Sequence, residues 1–177
     1  QFAGHDCEIP QAGDWFTHQI GNDSVIVVRG RDGGVRGFHN VCRHRGSRLC
    51  SAERGKDRAF VCPYHAWAYD LNGKLLRDTM GEHGVASAEL GLRPVALRQV
   101  GGLIFLSLAD QPPDFDGAAA RSARMESHFG TILRGTSKTH HSIDGLREIS
   151  RRAAEVMLGD VASWRLVVES RELEMPG

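Results

Sequence analysis

The stretch Phe38-His39-Asn40-Val41-Cys42-Arg43-His44-Arg45-Gly46, followed by Val61-Cys62-Pro63-Tyr64-His65-Ala66-Trp67, decides the reading of this chain. Each arm offers one thiol and one imidazole. Cys42 and His44 form C-x-H, Cys62 and His65 form C-x-x-H, and seventeen residues lie between His44 and Cys62. The four cysteines, Cys7, Cys42, Cys50 and Cys62, would permit two disulfides. Nothing else in the sequence points to the oxidising compartment that pairing needs. A structural zinc ion is the next alternative, but common zinc arms pair like ligands. Here each arm is mixed, and the first spacing is a single residue. Donors so close in the chain suit two metal atoms better than one tetrahedral ion. A binuclear iron–sulfur cluster has that need: one iron takes two Cys, the other takes two His, and each arm serves both.

The rest of the composition is consistent with a globular domain. The chain has 177 residues, with 22 Lys+Arg against 22 Asp+Glu and a formal charge of zero. That length suits one domain, or one domain with an appendage, and is enough to bury a core. Neutrality argues against a nucleic-acid partner, which favours a basic excess. Hydrophobic residues at 41% and charged residues at 25% exclude a disordered chain. No apolar run approaches the roughly 18 residues of a spanning helix, so no membrane association is expected. Gln1 to Pro10 lacks the basic and apolar segments of a signal peptide, and a cytoplasmic location is expected. The first residue is Gln, not Met, which leads us to expect a preceding segment.

Short strands with turn chemistry between them fill the first two-thirds. Ser24 to Arg29 and Val35 to His39 flank Arg31-Asp32-Gly33-Gly34 and predict a hairpin. Ala59 to Cys62 predicts a short strand. Ala66 to Asp70 and Leu75-Leu76 flank Leu71-Asn72-Gly73-Lys74 as a second hairpin, and Pro94 to Val100 with Leu103 to Leu108 flank Gly101-Gly102 as a third. This is the signature of a mainly β sandwich or small barrel, closed by Gln111-Pro112-Pro113-Asp114. Beyond it, Gly117 to Leu133 and Asp144 to Leu158 have helical spacing, Asp144 being a cap, and Ala162 to Leu173 predicts a strand.

From about Glu8 to about Leu108 the chain resembles the Rieske domain of ring-hydroxylating oxygenase large (α) subunits. It is nearest the branch acting on quaternary ammonium compounds such as glycine betaine. Besides the two arms, Val25 to Gly34 (VIVVRGRDGG) and Tyr69-Asp70-Leu71-Asn72-Gly73-Lys74-Leu75 carry the resemblance. It implies a Rieske-type antiparallel β-sandwich with a cluster-binding subdomain over 8–110. A short helical extension and the start of a truncated catalytic domain would follow over 111–177. It implies a [2Fe–2S] cluster on Cys42, His44, Cys62 and His65, with Trp67 shielding it from water. Gly46 and Pro63 suit tight ligand loops; Ala66 stands where the family usually has Gly. Respiratory-complex Rieske proteins carry an extra, disulfide-bonded Cys in each loop; Ser47 and Tyr64 occupy those places here, which favours the oxygenase or ferredoxin type. Cys7 and Cys50 are left as small packing residues.

The resemblance also implies an electron donor, a reductase or ferredoxin, and a homo-oligomer, a trimer in the full-length family. Arg43, Arg45, Arg48, Arg54, Lys56 and Arg58 face only Glu53 and Asp57 between the arms, as a solvated face or as a surface for an acidic donor. In the family, O₂ is activated at a mononuclear Fe(II) on two His and a carboxylate. His5, His18, His39, His83, His128, His140 and His141 supply no such triad, since the adjacent His140-His141 suit polar loop positions. Ser163 to Glu172 resembles the segment entering the catalytic domain, and Glu172 is a candidate carboxylate bridge to a neighbouring subunit. The chain then runs to Gly177 without a further His. The implied mononuclear iron thus belongs to a catalytic half this chain lacks, no catalytic residue is assigned, and the chain alone is expected not to hydroxylate. A stand-alone Rieske-type ferredoxin and a zinc-stabilised binding module are the alternatives.

Overall fold

The computed structural model describes residues 1–79, 87–112 and 114–115. The helical stretches expected beyond residue 116, the strand from Ala162, His83, His128, His140, His141 and Glu172 lie outside the described residues. Among the described residues ten strands run in order: β1 (Phe2–His5), β2 (Asp14–Ile20), β3 (Asp23–Arg29), β4 (Val35–His39), β5 (Arg54–Lys56), β6 (Phe60–Val61), β7 (Ala68–Tyr69), β8 (Leu75–Arg77), β9 (Pro94–Val100) and β10 (Leu103–Ser107). The molecule is mainly antiparallel β. Among the described residues no helix is long and apolar enough to cross a membrane.

Two compact units divide the chain. The first takes in Asp6–Leu97 and Leu106–Asp110. Its larger sheet has the order β9-β4-β3-β2-β5, and a three-stranded sheet has the order β6-β7-β8. The expected hairpin of β3 and β4 pairs Arg29 with Val35 through Val25 with His39. Strand β3 is central, with β2 on one side and β4 on the other. Val25, Ile26, Val27 and Val28 are all fully buried, so both faces of β3 are covered. Ile26 and Val28 join Trp15, Phe38, Phe60, Trp67, Tyr69, Leu71 and Leu75 in one apolar cluster, and Cys42, Cys50 and Cys62 belong to the same cluster. Each large side chain buried this way contributes about 1.5–3 kcal/mol over the exposed state.

The second hairpin turns at Gly73, whose φ is +82° and whose missing Cβ would lie 2.5 Å from the Phe38 ring. The Asp70 carboxylate accepts from the Asn72 and Lys74 amides, 2.8 Å each, and locks that turn. Strand β7 begins at Ala68, later than expected, because Ala66 takes a left-handed φ of +57° and cannot extend a strand. The other unit takes in Gln1–His5 and Arg98–Phe105. In it β1 pairs with β10 from His5–Leu103 to Phe2–Phe105, and Gly101 and Gly102 are both left-handed in the tight turn between β9 and β10.

Asn40 staples the first unit beside Cys42. It is 1% exposed. Its side-chain amide donates to the Cys50 carbonyl at 2.6 Å and to the Ser24 hydroxyl at 3.1 Å. Its side-chain carbonyl accepts from the Cys50 amide at 2.8 Å and the Leu49 amide at 3.1 Å. Both ends of the 40–50 loop are therefore tied through one residue. Replacing Asn40 by Ala leaves these buried backbone groups without partners, each costing about 1–3 kcal/mol. Asn40→Ala should lower unfolding free energy by about 2–4 kcal/mol in urea titration; a change within about 0.5 kcal/mol would contradict the staple.

Candidate metal centre

Two loops with the same backbone closure present the four candidate donors. In the first, the Gly46 amide donates to the Cys42 carbonyl at 3.0 Å and the Cys42 amide donates to the Ser47 carbonyl at 2.8 Å. In the second, the Ala66 amide donates to the Cys62 carbonyl at 3.0 Å and the Cys62 amide donates to the Trp67 carbonyl at 2.8 Å. Each loop is thus six residues long and closes on its own cysteine. In each, the fifth residue is left-handed: Gly46 at φ +72°, Ala66 at φ +57°. The histidine sits third in one loop and fourth in the other, which is the C-x-H and C-x-x-H difference read in the sequence.

The loops bring the candidates together. The His44 and His65 ring centroids are 4.7 Å apart at 65°. The Cys42 and Cys62 side chains lie within hydrogen-bond reach of each other, and none of the four cysteines is in a disulfide. Among the described residues, no three His, Cys, Asp or Glu groups meet at one point as a mononuclear site requires. The arrangement is two thiols and, separately, two imidazoles. A binuclear centre fits that donor set. His65 Nδ1 is a further sign of fit: it is buried and no group among the described residues hydrogen-bonds it, a costly condition for a ring nitrogen unless a bound group uses it.

The sulfurs are well supplied with donors. Tyr69 Oη lies 3.3 Å from Cys42 Sγ. It accepts from the Arg43 amide at 3.0 Å, so its own proton is available to the sulfur. Burial, more than the bond to Cys42, raises the Tyr69 phenol above its ordinary range and keeps that proton in place. Burial also pushes the Cys42 thiol up. At Cys62 burial is the largest single influence and pushes the thiol up, but the Tyr64 and His65 amides, with Cys42 and the Ser47 hydroxyl, together outweigh it and hold this thiol below its ordinary value. Ser47, one of the two positions at which a disulfide-forming Cys is absent, is thus among the groups that hold the Cys62 thiol down, and its hydroxyl also reaches the Arg48 carbonyl at 3.5 Å. The sequence alone carried no sign of the contact between Ser47 and Cys62. The Tyr69 bond was traceable only as an aromatic four residues past His65.

Trp67 is 1% exposed and stacks on His44, with centroids 5.0 Å apart and planes 12° from parallel. Tyr64 sits on the other histidine, 3.8 Å from the His65 centroid, and faces solvent. Cys50 is buried, and burial pushes its thiol up to about 12. Cys7 is half-buried and is pushed up to about 11, mostly by burial.

The two left-handed positions carry a stability test. An L side chain in that region costs about 1–2 kcal/mol, a cost glycine avoids. Gly46→Ala should lose about 1–2 kcal/mol, whereas Ala66→Gly should be neutral or gain up to about 1 kcal/mol. Urea midpoints of the two variants check this, and a clearly destabilised Ala66→Gly would contradict the backbone at 66.

Comparison with known proteins agrees with this geometry. The Rieske [2Fe–2S] domain family matches residues 1–87. The glycine betaine monooxygenase oxygenase subunit of Chromohalobacter salexigens is 43% identical over 171 residues, which is 96% of this chain and 35% of that protein. The biphenyl 2,3-dioxygenase α subunit of Rhodococcus jostii is 40% identical over 116 residues, covering 64% of this chain and 25% of that one. The crystal structure of the apo form of a quaternary ammonium Rieske monooxygenase superposes with a TM-score of 0.67 at 25% identity, over 75% of this chain and 40% of that one. The chain spans about a third of the length of the curated relatives it matches first. Residues 1–87 belong to the Rieske [2Fe–2S] domain family, and the chain is similar to the oxygenase subunits of Rieske oxygenases.

Proposed function

We propose that this chain is the electron-accepting part of a non-haem iron oxygenase of the quaternary ammonium monooxygenase type. One observation carries the choice of branch: likeness to the glycine betaine enzyme runs over 171 residues, whereas likeness to the biphenyl enzyme runs over 116. Cys42 and Cys62 would hold one iron of the cluster, and His44 and His65 would hold the other. When bound, such a cluster takes up one electron at about −150 to +300 mV, above the roughly −400 mV of plant-type ferredoxins, because two neutral imidazoles replace two thiolates. The chain's own residues do the rest. Amide hydrogens of His44, Tyr64 and His65 and the hydroxyls of Ser47 and Tyr69 are aimed at the cysteine sulfurs. Charge on those sulfurs grows on reduction, so these donors favour the reduced state. Trp67 closes one side of His44 to water.

The donor is a reductase or ferredoxin, and the acceptor is a mononuclear iron in a catalytic domain of the whole oxygenase, reached across a subunit contact with Glu172 as the candidate bridge. A homo-oligomer, a trimer, follows for that larger protein. The substrate class is a quaternary ammonium compound.

Single substitutions test the ligand set. Cys42→Ser, His44→Ala, Cys62→Ser or His65→Ala should each abolish the visible absorption of the iron-loaded chain, while Cys7→Ser and Cys50→Ser keep it. An unchanged spectrum in any of the first four would reject that ligand, and a colourless, zinc-loaded wild type would reject the cluster. Tyr69→Phe should keep the spectrum and lower the midpoint potential by tens of millivolts, roughly the worth of one hydrogen bond in a one-electron couple. An unmoved potential in a redox titration would show that the Tyr69 hydroxyl does not reach the sulfur.

A further inference from the structure

A pocket unrelated to the four donors opens between the two arms. It holds about 300 Å³ and is lined by Trp15, Leu49, Cys50, Asp57, Phe60 and Val61, among others. Its frame is rigid. Trp15 Nε1 donates to Asp57 Oδ2 at 2.7 Å, the Asp57 amide donates to the Gly13 carbonyl at 3.0 Å, and Trp15 meets Phe60 edge to face with centroids 6.4 Å apart. Asp57, the acid in the lining, is thereby engaged by the indole. Leu49 and Val61 supply apolar wall, and Val61 is 55% exposed. Val61 is bonded directly to Cys62.

The chain neighbours of the lining are charged: Asp14 and Glu53 are acidic, but cations outnumber acids on the 43–58 segment. Arg48 precedes Leu49, Arg58 lies between Asp57 and Ala59, and Arg54 lies on β5. All three are exposed, and among the described residues none has an ion-pair partner. Arg48 is also bridged to exposed Val41, the residue before Cys42. From Arg43 to Arg58 there are six cations against two carboxylates, a net of +4 inside a neutral chain. A depression of mixed polar and apolar lining, with exposed arginines close by in the chain, has the elements of a protein-binding surface: an apolar contact area and charge around it. Its charge selects an acidic partner.

We propose that this pocket is the docking site of an acidic electron-donor protein, which seats an apolar side chain against Leu49, Ala59 and Val61 while its carboxylates meet Arg48, Arg54 and Arg58. The inference rests on the reading of the chain as a Rieske electron-transfer domain. With a cluster held by the four donors, one electron would pass to it from the donor's reduced iron–sulfur cluster, which would be oxidised; no bond would form and no proton would move. Entry is then on the Cys62 side, through the strand Phe60-Val61.

The probe is an oxidised plant-type [2Fe–2S] ferredoxin, titrated calorimetrically into the full iron-loaded chain at low and at physiological ionic strength. Wild type should bind, and binding should weaken with salt. The double variant R48E/R58E should lose about tenfold or more in affinity and most of its salt dependence. A59W, which fills the pocket and leaves the charges in place, should also lose about tenfold but keep the salt dependence. Both should keep the wild-type visible spectrum. Wild-type affinity in either variant, or no ferredoxin binding by wild type at low ionic strength, overturns the docking site. Absence of cluster absorption from wild type overturns the electron-transfer reading instead, and the ferredoxin titration still decides the docking site on its own.

Discussion

Both loops depend on one device, a backbone closed on its own cysteine. The amide of Cys42 or Cys62 donates five residues ahead, and its carbonyl accepts from four residues ahead. That closure forces a left-handed residue at the fifth position and turns the amides behind it toward the sulfur. It therefore sets the thiol surroundings and the histidine directions together. Everything else in the unit supports it. Asn40 ties the first loop's ends, and the Asn72-Gly73 turn seats Tyr69 under Cys42. The two thiols lie in the same apolar cluster as Trp67 and Tyr69, so the site is a part of the core. A disturbance of packing at Phe38 or Leu75 would reach the sulfurs through that cluster.

Much of this was legible in the residues. The mixed C-x-H and C-x-x-H arms pointed to two metal atoms, and the structure gathers two thiols and two imidazoles from those arms. The hairpins at Gly33-Gly34 and Asn72-Gly73 were readable because glycine marks positive φ and Asp or Asn closes the turn. Strand β2 was not read, because Asp14-Trp15-Phe16-Thr17-His18-Gln19-Ile20 lacks a clean alternation; pairing with β3 and β5 makes it a strand. Ala66 misled for a different reason. As an alanine it suggested the start of a strand, but the ladder around Cys62 overrides local preference. The Tyr69, Ser47 and Asn40 bonds join residues 9 to 27 positions apart and exist only once the loops fold.

Charge and exposure divide the domain by task. The sulfurs are enclosed by N–H and O–H donors, whereas the histidine edge lies nearer solvent beside exposed Tyr64. The connecting segment from Arg43 to Arg58 carries six cations against two carboxylates within a chain that is neutral overall. The electron-carrying role we propose needs this contrast: a dry, hydrogen-bonded interior fixes the potential, and a charged exterior governs encounter.

The central claim is that two imidazoles and two thiolates hold one binuclear cluster. Its most direct measurement is electron–nuclear double resonance on the reduced chain, prepared once with ¹⁵N-labelled histidine and once without. The account predicts strong coupling to two histidine nitrogens, altered by the label. A reduced iron–sulfur signal with no histidine nitrogen coupling would contradict it.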